Sequence, residues 1–174
     1  MSVLASSHGR YIRRYEKEII SRVKCLEKIE WTSKGGAWTK FFLEKPYLYK
    51  KDIVIIICGG NELTKLSPKI VKANLVKLAQ GAKCHSDLVL IFSLWPRDGE
   101  NSAYQQKVEQ LNSLMFEVYP RENAQVNGIV FYRWDKRVYT TTVDGTHLTE
   151  GGYRRAALCI ASALLWSANN VFCC

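Results

Sequence analysis

No apolar run in this 174-residue sequence approaches the roughly 20 residues that a membrane-spanning helix needs. The first residues, MSVLASSHGRYIRR, lack the basic start, long apolar stretch and cleavage site of a secretory leader. Together these absences predict an intracellular, cytoplasmic protein. No CxxC pair occurs among the six cysteines, Cys25, Cys58, Cys84, Cys159, Cys173 and Cys174, most of which lie in apolar runs such as IIICGG and AALCIASALL. The spacing argues against a zinc site and predicts buried free thiols. Neither GxGxxG nor GxxxxGKS is present, which argues against a nucleotide or dinucleotide binder built on a phosphate-cradling loop. No metal or organic cofactor is expected. Repeats, low-complexity segments and linkers are missing too, so residues 1–174 read as one domain. Its first strand would begin almost at residue 1, from which we expect a domain excised from a longer protein.

Acids are scarce at one end of the chain. Residues 1–51 carry 12 Lys and Arg against 5 Asp and Glu, while the remainder is nearly balanced, and the net charge is +9. A basic region of this kind attracts anionic membrane or RNA through salt-sensitive electrostatics, unless it is simply a solvated face. Arg10, Arg13, Arg14, Lys17, Lys24 and Lys28 are the residues concerned. Trp38, Tyr47, Tyr49 or Trp95 would add stacking or interfacial contacts, the alternative being that they pack the core and its edges.

What is present in quantity is β-branched apolar sequence in short blocks. Residues 52–60, DIVIIICGG, have the composition of a strand covered on both faces and end in two glycines. Residues 88–93, LVLIFS, and 129–134, IVFYRW, read the same way, with weaker candidates at 3–5 and 25–31. Between them lie stretches of helical spacing: Tyr11, Ile12, Tyr15, Ile19 and Ile20; Ile70, Val71, Leu75 and Leu78; Val108, Leu111, Leu114, Met115 and Val118; and a last run over 152–166. Ser67 with Pro68, and Asn101 with Ser102, are placed to begin the middle two. Alternation of this length predicts a three-layer α/β/α domain, flavodoxin-like, with a mainly parallel five-stranded sheet. The stretch 164–172 serves either as a homodimer surface or as the last core helix.

In such sheets the working residues gather beyond the carboxyl ends of the strands. Those positions hold Ser6-Ser7-His8-Gly9, Ser33-Lys34-Gly35-Gly36, Gly59-Gly60-Asn61-Glu62 and, after the fifth strand, Asp144-Gly145-Thr146-His147. A hydroxyl, free backbone N–H groups, a carboxamide and an acid beside an imidazole are the parts of acyl transfer. A serine attacks only when a histidine takes its proton, the histidine needs a carboxylate to fix its tautomer, and the oxyanion needs donors. Each piece alone has a bland alternative: Ser7 a helix cap, Asn61 a turn residue, His147 a structural histidine.

These blocks resemble those of the SGNH, or GDSL, hydrolases. VLASSH at 3–8 is similar to the family's first block, SKGGAW at 33–38 to the second, CGGNEL at 58–63 to the third and DGTHLTEGGY at 144–153 to the last. The resemblance implies a serine esterase with the triad Ser7, Asp144 and His147. Its oxyanion hole would be the Ser7 and Gly36 amides and the Asn61 side chain, with Gly35 the alternative glycine. Two departures stand out: Ala5-Ser6 replaces the usual Gly-Asp before the nucleophile, and Glu62 replaces the customary Asp after Asn61. Trp95, Pro96 and Arg97, after the fourth strand, are expected to bind substrate. The first block, the basic residues directly after it and the last block together further resemble the esterase domain of first-open-reading-frame proteins of LINE-type retrotransposons. That likeness implies an acetyl or lipid acyl ester as substrate and RNA or anionic membrane as partner. The alternative is a catalytically weak module of the same fold that binds RNA or membrane through its basic region.

Overall fold

The structure is a computed structural model and describes residues 1–139 and 144–171. Five strands, β1 (Ser2–Ala5), β2 (Glu30–Ser33), β3 (Ile53–Ile57), β4 (Leu88–Phe92) and β5 (Ile129–Tyr132), form one sheet in the order β2-β1-β3-β4-β5. Every pairing is parallel. Such a sheet is buried on both faces, and the strands show why. Val3, Ala5, Ile55, Ile57, Leu88, Leu90, Phe92, Val130 and Tyr132 enter one core, while Leu4, Val54, Ile56, Val89, Ile91, Ile129 and Phe131 enter the other. The alternation is the period of two of a pleated strand, apolar to both sides.

Helices α1 (Ser7–Ile12), α2 (Glu16–Arg22) and α8 (Glu150–Val171) cover the first face. On the second lie α3 (Thr39–Leu43), α5 (Pro68–Lys83) and α6 (Ser102–Val118), while the short α4 (Gly60–Leu63) and α7 (Ala124–Asn127) sit in connections. Ser67 and Pro68 do begin α5, and Asn101 caps α6 by accepting the Tyr104 N–H at 2.9 Å. The stretch 11–20 is divided into α1, a 3₁₀ turn at Arg13–Tyr15 and α2. The second strand lies at Glu30–Ser33, not at 25–31. It is an edge strand with half-exposed residues, whereas Val23, Leu26 and Ile29 drop into the core at three-residue steps from a connecting segment. The thiols divide as well: Cys58 is buried, Cys159 half-buried and Cys25 and Cys84 exposed, because the last two sit in turns after helices. Cys173 and Cys174 lie outside the described residues.

The strand order locates the site. From β1 the chain moves outward to β2 and then returns past β1 to β3, so the connections leave β1 and β3 on opposite sides. A crevice opens beyond the carboxyl ends of strands that part in this way. Ser7 follows β1 and Asn61 follows β3, on its two lips.

Candidate active site

The turn from β1 into α1 has no glycine, and none is needed. Ser6 is extended (φ −69°, ψ −155°), and no non-glycine residue among those described has a positive φ. The Ser6 N–H donates to the Ile57 carbonyl at 3.1 Å, and Ser33 Oγ donates to the Ser6 carbonyl at 2.9 Å, so both neighbouring strands hold the turn. Crowding falls on Gly9 instead, where a Cβ would run into that of Ala5. Ser6 occupies the cap position and Ser7 is the first helical residue, partly exposed. Its N–H is therefore one of those that a helix start leaves without an intrahelical acceptor.

Asp144 and His147 meet through a tight local fold. Asp144 Oδ1 accepts the Thr146 and His147 backbone N–H groups, each at 2.9 Å, and Oδ2 lies 2.7 Å from His147 Nδ1. Gly145 has φ +63°, and a side chain there would press on the Gly99 Cα at 2.7 Å. The DGTH loop is thus packed against the loop after β4, which donates Gly99 N–H to the Gly145 carbonyl at 3.3 Å. With Nδ1–H aimed at the carboxylate, Nε2 is the nitrogen that carries the lone pair. The His147 ring lies 5.4 Å from His8 and 5.3 Å from Tyr11, centroid to centroid. Ser7 and Tyr11 stand one helical turn apart on the same face of α1, so these contacts bring His147 alongside the end of the helix that bears Ser7.

His8 is the residue that sequence reasoning passed over. It is buried edge-on against Trp95 at 4.4 Å, with Nδ1 2.9 Å from Tyr153 Oη. Burial, with the neighbouring His147 imidazole and Arg97 guanidinium, lowers its pKa to about 3, while burial holds the Tyr153 phenol well above its usual range. Tyr153 therefore donates to a neutral imidazole. An imidazole within the first block was the available signal, but its partner lies 145 positions away. An unfolded His8 takes a proton near pH 6.5 and the folded one only near 3, so stability is lost as pH falls between those values. We expect the stability of the native chain relative to a His8→Phe variant to fall over that window, with a slope approaching about 1.4 kcal/mol per pH unit. Denaturant melts from pH 7 to 4 check it; parallel curves for the two proteins refute it.

On the other lip, Gly59 takes φ +113° and α4 begins at Gly60. Asn61 Nδ2 donates to the Ala37 carbonyl at 3.3 Å, and Asn61 Oδ1 accepts from Arg97 Nη2 at 3.0 Å. The first contact joins the carboxamide to the loop carrying Gly36, which is exposed with φ +70°. Gly35 is exposed beside it and has no positive φ, so only Gly36 adopts a backbone reserved for glycine. Glu62, in place of an Asp, is fully buried and accepts from Thr39 Oγ1 and, at 3.1 Å, from Asn74 Nδ2. Glu62 thereby ties α4 to α3 and α5.

Trp95 and Arg97 line a small cavity of about 20 Å³ with Ser6, His8, Gly60 and Tyr104. Pro96 lies elsewhere, in a cleft formed with Asn112, Arg133 and Trp134. Asp144 and His147 line an open cleft of about 350 Å³ with Tyr11, Arg14, Glu150 and Tyr153. Among the described residues, no group of three or more His, Cys, Asp or Glu is placed to hold a metal ion, and no helix is long and apolar enough to cross a membrane.

Solved structures of the same architecture are numerous. A GDSL-like lipase from Bacteroides thetaiotaomicron matches with a TM-score of 0.75 at 17% identity, covering 95% of this chain and 87% of that one. A carbohydrate acetylesterase from Sinorhizobium meliloti matches with 0.75 at 16% identity over 95% and 98%. The aryl esterase of M. smegmatis matches with 0.73 at 14% identity over 95% and 98%. No protein-family model and no curated protein sequence matches the chain. The fold is that of the SGNH/GDSL hydrolases.

Proposed function

We propose that the chain is a serine esterase of the SGNH type, with Ser7 as nucleophile, His147 as general base and Asp144 as its orienting acid. The observation that carries this reading is the Asp144–His147 pair at 2.7 Å, locked by two backbone bonds and packed on the helix that Ser7 begins. The fold shared with lipases and esterases supports it. His147 Nε2 takes the Ser7 proton as Oγ attacks the ester carbonyl. The oxyanion is held by the Ser7 and Gly36 amides and the Asn61 Nδ2–H. Collapse releases the alcohol with the proton from His147, and a water, deprotonated by the same imidazole, cleaves the acyl-serine to acid and free Ser7.

An ester panel of rising acyl length, beginning with p-nitrophenyl acetate, tests the activity. Fluorophosphonate labelling located by mass spectrometry tests the nucleophile, and we expect the label on Ser7. No turnover of any ester, with no label on Ser7, ends this reading.

A second function is favoured by the surface beside the site. Arg10, Arg13, Arg14 and Lys17 are exposed, and the Arg10 and Arg14 guanidiniums lie 4.8 and 5.4 Å from the Tyr11 ring that borders His147. Trp38 and Tyr47 are exposed as well, whereas Tyr49 and Trp95 are buried. This supports an anionic partner, RNA or membrane, as in the retrotransposon esterase domains that the first and last blocks resemble. Retention on either at low salt, lost at moderate salt, is the expected result; no retention on RNA or anionic liposomes rules it out.

A further inference from the structure

Arg97 is a buried guanidinium in a protein whose other arginines face water. Burying an arginine is costly unless its hydrogen bonds are met, so its contacts state its role. The backbone carbonyl of Arg97 accepts from Gln105 Nε2, and its guanidinium packs at 5.4 Å over the Tyr104 ring and 3.8 Å from Glu100 Oε1. Space for it comes from Gly60, where a Cβ would meet Arg97 Nη2 at 3.1 Å. The two glycines before Asn61 therefore do different things: Gly59 supplies a left-handed turn and Gly60 a gap for the arginine.

The 3.0 Å bond from Arg97 Nη2 has one acceptor, Asn61 Oδ1. This settles which way the carboxamide faces. A guanidinium only donates, so the atom against it is the oxygen; the Ala37 carbonyl only accepts, so the atom against it, at 3.3 Å, is the nitrogen. The amide is held at both ends, with one of its two N–H bonds directed at Ala37 and the other left for a substrate oxygen. A charged donor on Oδ1 also draws electron density from the amide nitrogen and strengthens its N–H as a donor.

Resting on the esterase reading, we propose that Arg97 is the positioning residue of the oxyanion hole: it acts through Asn61, fixing the carboxamide and sharpening its N–H, rather than by touching substrate. Oxyanion charge develops only in the transition state, so loss of Arg97 lowers kcat and leaves KM nearly unchanged. Because Arg97 works through Asn61, it has little effect where Asn61 is absent.

The test is a double-mutant cycle on the whole chain with p-nitrophenyl acetate. Asn61→Ala is expected to lower kcat about 10²- to 10³-fold. Arg97→Met should lower it about 10- to 10²-fold with KM within about threefold, Arg97→Lys should fall between, and Arg97→Met in the Asn61→Ala background should cost less than about threefold more. Arg97→Met takes the donor from Asn61 Oδ1 and the cation from Glu100, whose carboxylate still reaches water, so a thermal melt checks that the Met variant folds. If it does not fold, Arg97→Lys takes its place. A kcat within twofold of wild type in Arg97→Met, or losses that multiply in the double variant, overturns the proposal. A second readout needs no turnover. The Asn61 side-chain NH₂ pair in a ¹⁵N correlation spectrum, identified by its disappearance in Asn61→Ala, should be well dispersed in the wild type and shifted or averaged in Arg97→Met. An unchanged pair refutes the tether, whereas a shifted pair in a protein that cleaves no ester refutes the esterase reading and leaves the tether standing.

Discussion

Replacing Ser7 by alanine is expected to lower kcat for ester hydrolysis by about 10⁶-fold, the scale on which a serine nucleophile is lost from a working triad. The hydroxyl is the atom that bonds to the acyl carbon, so no neighbouring group substitutes for it, and what remains is the help that oxyanion donors give to attack by water. His147→Ala should cost about as much, and the double variant little more, because the two act as one unit. The fold should be indifferent. Ser6, not Ser7, holds the cap position, and Ser7 is partly exposed, so stability should stay within about 0.5 kcal/mol. Initial rates with p-nitrophenyl acetate, beside thermal melts of each variant, make the measurement. If Ser7→Ala keeps more than a tenth of the wild-type rate, the nucleophile lies elsewhere. Ser6 is a poor substitute, being buried and bonded through its backbone to Ile57 and Ser33, and Ser6→Ala checks that directly.

The sheet could be read from sequence because its central strands are short, apolar on both faces and bounded by glycine or proline, as β3 and β4 show. The edge strand β2 could not. It pairs only with β1, leaves Glu30 and Ser33 exposed and so carries the residues of a loop, while the apolar Leu26 and Ile29 that suggested a strand belong to the segment before it. The N-terminal helical stretch broke for a related reason. Ile12 and Ile19 keep a common buried side, which periodicity detects, but the 3₁₀ turn between α1 and α2 leaves that spacing almost unaltered.

Within the candidate site the same division holds between local and distant. Asp144 and His147 stand three residues apart around a glycine, and so short a loop announces itself. The position of Arg97 after β4 is legible in the sequence, but its bond to Asn61, 36 positions earlier, is not. His8 and Glu62 were hidden likewise, since their partners Tyr153, Thr39 and Asn74 come from other elements. The missing glycine before Ser7 proved harmless to the turn because the close approach of α1 to β1 is made at Gly9.

Asp144→Asn is expected to lower kcat by about 10⁴-fold with little change in KM, and the local hydrogen bonds say why. Asp144 Oδ1 is held by the Thr146 and His147 backbone N–H groups, both at 2.9 Å. An asparagine would keep its single oxygen there, since only an acceptor can meet two N–H donors. Its NH₂ group would then face His147 Nδ1, where Oδ2 now lies at 2.7 Å. A donor at that place requires Nδ1 to accept, which moves the ring proton to Nε2 and removes the lone pair that Ser7 needs. The amide is nearly isosteric and retains both backbone bonds, so the loop should keep its shape while the tautomer reverses. Kinetics measure the loss, and ¹⁵N shifts of the neutral His147 ring identify the protonated nitrogen: Nδ1 in the wild type, Nε2 in the variant. An Asp144→Asn enzyme within tenfold of wild type, or one whose ring keeps its proton on Nδ1, would show that Asp144 does not set the state of His147.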